Sequence, residues 1–248
     1  MSDMPAIASH GYSHIGKYRE ENQDAIRIHE LNDTFVSHGY LYAIADGMGG
    51  YSHGGVASTL ALDTFFNSFF AGQPTKSPNN LRQAAQLANT AVCQAAHRLG
   101  AVRMGTTLSA VNIIGNQLHI AHIGDSRVYL IRNGKAACLT RDHTVVGDLV
   151  NMKVLSPDKI RTHEQRSMLN KCIGIQLFVQ PDIQRFTIED DDVLILCSDG
   201  VWSVIEDDEF AHFARDFRHL DQLNQTLIDL AMERDSDDNV SSIVVQVH

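Results

Sequence analysis

The feature that most constrains this chain is a recurring one: short apolar runs that meet an aspartate beside Gly, Ser or Asn. Residues 41–45 (LYAIA) deliver Asp46, residues 192–197 deliver Asp199, and HIG precedes Asp125. Asp238 stands just before the apolar run 240–247, and Asp24 just before Ala25-Ile26. A carboxylate at the end of a buried strand faces a crevice, where an unpaired charge is costly. Singly, each has an ordinary reading. Asp-Gly is a common turn, Asp125-Ser126 makes a hairpin bend, and Asp238 caps or ends an element. Together, several such carboxylates converging without matching Lys or Arg require a cation. Hard divalent cations take carboxylate and carbonyl oxygens. Aspartates with few added His or Cys therefore fit magnesium or manganese better than zinc. The run Gly47-Met48-Gly49-Gly50 fails both phosphate-loop templates: no Lys-Ser/Thr follows, and no G-x-G-x-x-G opens a helix. Its glycines suit a backbone that approaches a metal closely enough for a carbonyl to coordinate.

With 248 residues, 44% hydrophobic and 20% charged, the chain is an ordinary globular sequence, long enough to bury a core without disulfides. A net charge of −10 disfavours a nucleic-acid binder, which needs a basic face. Cys93, Cys138, Cys172 and Cys197 show no C-x-x-C spacing and read as reduced core thiols. Residues 1–11 lack a basic start followed by an apolar stretch, so no signal peptide is expected. No apolar run reaches membrane-spanning length. The expectation is a soluble cytoplasmic protein without a membrane partner.

No repeat is visible. Residues 71–80 and 147–164 are the most loop-like, and neither reads as a linker, so one domain over 1–248 is expected. Apolar spacing predicts helices over 56–70, 80–99 (with Asn79 or Asn80 as cap), 206–217 and 220–234. Strands are expected over 41–45, 106–114, 117–123, 127–132, 135–139, 192–197 and 240–247. Gly115-Asn116 and Asn133-Gly134 mark hairpin turns. Consecutive hairpins with helices at intervals favour an α+β fold of antiparallel sheets with helices outside, over a parallel βαβ fold.

The ordered motifs then identify a family. Arg19-x-x-Asn22-Gln23-Asp24, Asp46-Gly47-Met48-Gly49-Gly50 with Gly54-Gly55-Val56-Ala57-Ser58, Gly105-Thr106-Thr107 and Gly124-Asp125-Ser126-Arg127 follow one another. Asp142-His143, Ser198-Asp199-Gly200 and Asp238-Asn239-Val240 complete the series. The set resembles the metal-dependent serine/threonine phosphatases of the protein phosphatase 2C type in their compact bacterial form, from about Gly11 to the end. That resemblance implies a four-layer α/β/β/α sandwich, with the site in a cleft at one edge. It implies that Asp46 bridges two Mn²⁺ or Mg²⁺ ions and that the Gly47 carbonyl binds one of them. Asp199 and Asp238 would hold the other, and Asp24 would act through water. Asp125 with Asp199 would form a third, weaker metal site, and Arg19 would clamp the substrate phosphate. Out of context, Arg19 reads first as a surface ion pair with Glu20, Glu21 or another acid.

The implied catalytic set is Arg19, Asp46 and Asp199. The implied chemistry is attack of a metal-activated water on a phosphomonoester, with the cations offsetting phosphoryl charge. Two positions depart from the family pattern. Met48 stands where many eukaryotic members carry a His, which leaves the leaving-group acid unassigned. Gln23 stands where Glu is frequent, which removes one negative charge from the metal surroundings. His53 reads as a surface-loop residue and His143 as structural. Residues 147–169 correspond to the family's variable flap. The implied partners are phosphoprotein substrates and a Ser/Thr kinase whose action a monomeric phosphatase would oppose. Two other functions fit the motifs less well: a non-catalytic phosphoprotein-binding domain on the same fold, and a small-molecule phosphatase.

Overall fold

The computed structural model describes residues 4–31, 35–48, 53–101, 103–217 and 219–248. In chain order the elements are β1 (Ile7–His14), β2 (Asp24–His29), β3 (Tyr40–Met48), α1 (His53–Ala71), α2 (Ser77–Leu99), β4 (Gly105–Thr106), β5 (Leu108–Ile114) and β6 (Gln117–Ile123). There follow β7 (Arg127–Arg132), β8 (Lys135–Cys138), α3 (Val145–Asn151), β9 (Asp182–Thr187), β10 (Val193–Cys197), α4 (Asp199–Trp202), α5 (Asp207–Asp216), α6 (Leu220–Glu233) and β11 (Val240–Val247). One sheet runs β1-β11-β10-β7-β8, and the other β2-β3-β5-β6-β9 with β4 paired to β3. The strand neighbours are antiparallel throughout.

Side-chain alternation along the strands builds the layers. On β3, Tyr40, Tyr42 and Ile44 face the other sheet and meet Leu194, Leu196, Ile243 and Val245. The intervening Leu41, Ala43 and Ala45 turn outward to α1 and α2, where the small alanines leave room for Phe65, Phe66 and Phe69. Across the molecule, Val193, Ile195 and Cys197 pack against Trp202, Phe210, Leu223 and Leu227 of α4, α5 and α6. The result is the expected α/β/β/α sandwich. Its central strands are covered on both faces, which explains their unbroken apolar runs.

Several sequence expectations need correction. The strands β1, β2 and β9 were not expected. Each lies at a sheet edge with a half-buried face. The stretch 106–114 divides into β4 and β5, because Thr107 turns aside to bind Asp46. The second helix starts at Ser77 with Lys76 as its N-cap and Pro78 in its first turn, and neither Asn79 nor Asn80 caps it. Asn80 is buried and donates to the Gln73 carbonyl at 2.7 Å. The loop-like 147–164 begins inside α3, whose N-cap Thr144 accepts from Gly147 N–H. His53 opens α1 and is not a loop residue. All four cysteines are free, but only Cys172 and Cys197 are buried, while Cys93 and Cys138 are half-exposed. No helix of the described residues is long and apolar enough to cross a membrane.

One buried ion pair locks the corner where the two sheets join. Arg127, the first residue of β7, makes a two-pronged contact with Asp142 at 2.9 and 2.7 Å, and both side chains are buried. Removing one partner leaves a buried charge uncompensated, which typically costs 3–5 kcal/mol. Asp207, 3.6 Å from Arg127, offsets part of that. Asp142→Ala is therefore expected to lower unfolding free energy by about 3 kcal/mol in urea denaturation, with an unchanged m-value. A loss under about 1 kcal/mol would show that the pair is not structural.

Candidate metal centre

The antiparallel order puts the starts of β2, β7 and β11 and the ends of β3, β6 and β10 at one edge. Each expected aspartate belongs to one of them. Asp24 opens β2 directly opposite Asp46 in the β2–β3 register. Asp125 lies in the turn from β6 to β7, Asp199 follows β10, and Asp238 precedes β11. Asp46, Gly47, Asp125, Asp199 and Asp238 line a cleft of about 700 Å³, with Arg19, Gln23, Met48, Asn239 and the flap residues Ser167 and Leu169. Asp24 lies behind it, buried.

The local bonds explain why each carboxylate stands where it does. The Asp46 peptide is clamped by threonines: its N–H donates to Thr107 Oγ1 at 2.8 Å, and its carbonyl accepts from Thr107 N–H and Thr106 Oγ1, both at 2.9 Å. Gly47 must lack a side chain, because a Cβ there would overlap the carbonyl oxygens of Gly54 and Gln23. Its N–H donates to that Gln23 carbonyl at 3.1 Å. Ser198 Oγ donates to Asp24 Oδ2 at 2.9 Å. Asn239 ties the Arg19–Asp24 segment to β11. Its Oδ1 accepts from Gln23 N–H at 2.8 Å, and its Nδ2 donates to the carbonyls of Ile15 and Glu21 at 2.7 and 3.0 Å. The roles of Ser198 and Asn239 were missed in the sequence, although both flank expected ligands in the quoted motifs.

Arg19 reaches the cleft as an ion pair. One of its nitrogens donates to Asp238 Oδ2 at 2.7 Å, and its Nε donates to the Asp237 carbonyl at 3.1 Å. Met48 lines the cleft and has no proton to give. His143 is buried and structural, as expected: its Nδ1 accepts from Gly124 N–H at 3.0 Å and its Nε2 lies 3.1 Å from Asp182.

The electrostatics are those of crowded like charges. Burial first, and then the charges of Asp24, Asp199, Asp238 and Asp125, hold Asp46 well above the ordinary carboxylate range. Asp199 is pushed up to about 7 by burial and by Asp238 and Asp24. Asp24 reaches about 6, mainly through burial, despite help from Ser241 and Ser198. Burial and Asp199 raise Asp125 strongly, and burial also raises Asp238.

Two buried oxygens, Asp24 Oδ1 and Asp199 Oδ1, have no hydrogen-bond partner. Orphaned carboxylate oxygens beside an all-oxygen donor set fit hard divalent cations. Among the described residues, no three His, Cys, Asp or Glu side chains close into a tight single-ion cage. The carboxylates instead ring an open cleft, an arrangement that suits ions keeping several of their waters. Gly49 and Gly50 of the glycine run lie outside the described residues.

Comparison with known proteins decides the family. The protein phosphatase 2C family profile matches residues 10–234. The chain belongs to the protein phosphatase 2C family. It is 32% identical over 238 residues to the protein phosphatase PhpP of Streptococcus pneumoniae, covering 94% of this chain and 95% of that one. Its fold superposes on the serine/threonine phosphatase Stp1 of Staphylococcus aureus with a TM-score of 0.91 at 28% identity, covering 100% and 98% of the two chains. The catalytic domain of the serine/threonine protein phosphatase PstP, solved in complex with two manganese ions, gives a TM-score of 0.84 at 28% identity over 97% and 98% of the two chains. The sandwich fold, the metal-dependent serine/threonine phosphatase class and the manganese or magnesium cofactors expected from the sequence stand on this membership.

The raised carboxylates set a sign for pH dependence. Each is harder to ionise in the folded chain than in the unfolded one. Below about pH 4 both states are protonated and nothing is lost; above the folded values the full repulsion destabilises the fold. In chelated protein, Asp199→Asn is therefore expected to gain stability over wild type, by a margin that widens as pH rises from about 4 to 8. Denaturation curves at several pH values measure it. A margin that stays flat or shrinks would mean that the carboxylates are not in conflict.

Proposed function

We infer that this chain hydrolyses phosphoserine and phosphothreonine on proteins and so opposes a Ser/Thr kinase. The observation that carries this reading is the convergence of Asp46, Asp125, Asp199 and Asp238 on one open cleft, with Asp24 behind them and two carboxylate oxygens unpartnered. In this reading Asp46 and the Gly47 carbonyl would hold one cation, and Asp46 with Asp199 and Asp238 would hold the other. Asp24 would act through water from behind, and Asp125 with Asp199 would form a weaker third site. When bound, paired manganese or magnesium ions supply positive charge to the phosphoryl oxygens and bring the pKa of a water toward neutrality.

The chain's own residues do the rest. The threonine clamp on Asp46 and the glycine contact at Gly47 fix the donor oxygens in advance, so little reorganisation accompanies the reaction. Arg19 stands half-exposed at the mouth with its planar guanidinium already oriented by Asp238, and it presents a two-pronged fork to a phosphate dianion. The flap residues Ser167 and Leu169 form part of the wall that a protein substrate meets. The cleft is wide and polar, which suits a phosphorylated side chain displayed on a protein more than an enclosed metabolite. The intact carboxylate ring argues against a purely phosphoprotein-binding domain. The chain acts in this reading as one catalytic domain over 1–248.

Manganese-dependent hydrolysis of an aryl phosphate and of phosphothreonine peptides tests the proposal. Asp46→Asn and Asp199→Asn are each expected to lower kcat by about 10²–10³-fold or more while the chain stays folded. Exhaustive chelation is expected to stop turnover and manganese to restore it. Turnover unchanged by chelation, or by either variant, would overturn the reading. Arg19→Ala is expected to lower kcat/KM about 10–100-fold through loss of a charged hydrogen-bond partner, and equal kinetics would remove Arg19 from the site.

A further inference from the structure

Trp202 is the chain's only tryptophan and is 1% exposed. It closes α4, the helical turn that Asp199 opens, and its ring packs in the core beneath α5 and α6. Its polar end does something else. The indole N–H crosses to the turn between β6 and β7 and donates to the carbonyl of Asp125 at 2.9 Å. An indole N–H is donor only, so it suits a carbonyl and fixes the polarity of the contact.

The ring itself is held. The Arg127 guanidinium stacks on it 3.6 Å from the ring centre and is anchored in turn by Asp142 and by Tyr129 Oη at 3.0 Å. The rest of the Asp125 turn is held by Thr107, Ser109 and His143. Gly124 adopts a φ of 104°, and its Cβ position is filled by Thr107. Its N–H and carbonyl both bond to His143, and Ser126 is tied to Thr107 and Ser109. Trp202 thus links the Asp125 peptide to the helical turn that carries Asp199.

We propose that Trp202 is a positioning residue for the metal site shared by Asp125 and Asp199, acting through its hydrogen bond to the Asp125 carbonyl. The proposal rests on the reading of both aspartates as cation ligands. With its peptide fixed, the Asp125 carboxylate retains only its two side-chain torsions, and Trp202 sets its distance from Asp199. Two like charges left free would separate. The N–H bond holds them at the spacing a shared cation needs, so its loss weakens metal binding without removing a ligand. Partners of this kind behind a ligand typically change metal affinity 10–100-fold.

Trp202→Phe keeps an aromatic ring for Arg127 and deletes the N–H, together with the smaller ring of the indole. The expected result is that the manganese concentration giving half-maximal aryl phosphate hydrolysis rises about tenfold, while kcat at saturating manganese stays within about threefold of wild type. Leu227→Ala, which opens a cavity in the same core away from the turn, is expected to keep wild-type half-activation. The second readout is the emission of Trp202 itself, titrated with magnesium in the wild type. A saturable change is expected there, and its absence is expected in Asp125→Asn over the same range; this titration decides alone if Trp202→Phe does not fold. Wild-type half-activation in Trp202→Phe, no emission change in the wild type, or a change that persists in Asp125→Asn would overturn the proposal. Absence of metal-dependent hydrolysis in the wild type would overturn the phosphatase reading beneath it, whereas metal-dependent wild-type turnover with an unmoved midpoint sinks only the role of Trp202.

Discussion

The organising constraint of this protein is electrostatic conflict at one edge of a β-sandwich. Antiparallel pairing brings the starts of three strands and the ends of three others to the same rim, and each carries or adjoins an aspartate. Burial first, and then the charge of neighbouring carboxylates, raises the pKa of Asp46 and Asp199 there. A fold can keep such a group only where something else, Arg19 in part and divalent cations in the main, absorbs the charge.

Much of the surrounding structure serves to hold this conflict in place. Thr106 and Thr107 clamp the Asp46 peptide, Ser198 binds Asp24, and Asn239 fastens the loop that bears Arg19 to β11. The two sheets contribute different members of the ring: β2 and β3 bring Asp24 and Asp46, while β10 and β11 bring Asp199 and Asp238. Catalytic geometry therefore depends on the packing between sheets as much as on any loop. The layer of Tyr42, Ile44, Leu194, Leu196 and Ile243 sets the distance across which the two pairs of acids face each other.

The sequence disclosed the parts of this design that have a local signature. Central strands such as β3, β10 and β11 are covered on both faces and appear as unbroken apolar runs, and the Gly115-Asn116 and Asn133-Gly134 turns mark their hairpins. A lone aspartate beside such a run stands out, so the acids that converge on the cleft were legible. Edge strands were not. In β1 (IASHGYSH) and β9 (DIQRFT) one face is partly wet, and polar residues interrupt the pattern. The start of α2 was misplaced because Pro78 in its first turn signals the helix entry better than the asparagines behind it. Asn239, Ser198 and Trp202 carry no signal of their own. Their partners at the site lie 174 residues away for Ser198 and Asp24, and 77 for Trp202 and Asp125, and only the closed sandwich brings them together. Arg19 forms the ion pair that its sequence context allowed, and the acid it pairs with is itself a member of the ring.

The most direct test of the central claim is a crystal of the wild-type protein grown with manganese and recorded at the manganese absorption edge. Two anomalous peaks are predicted among Asp46, Asp199 and Asp238, one of them beside the Gly47 carbonyl. Manganese peaks confined to other parts of the surface, with Asp46 and Asp199 bound only to protein groups, would contradict it.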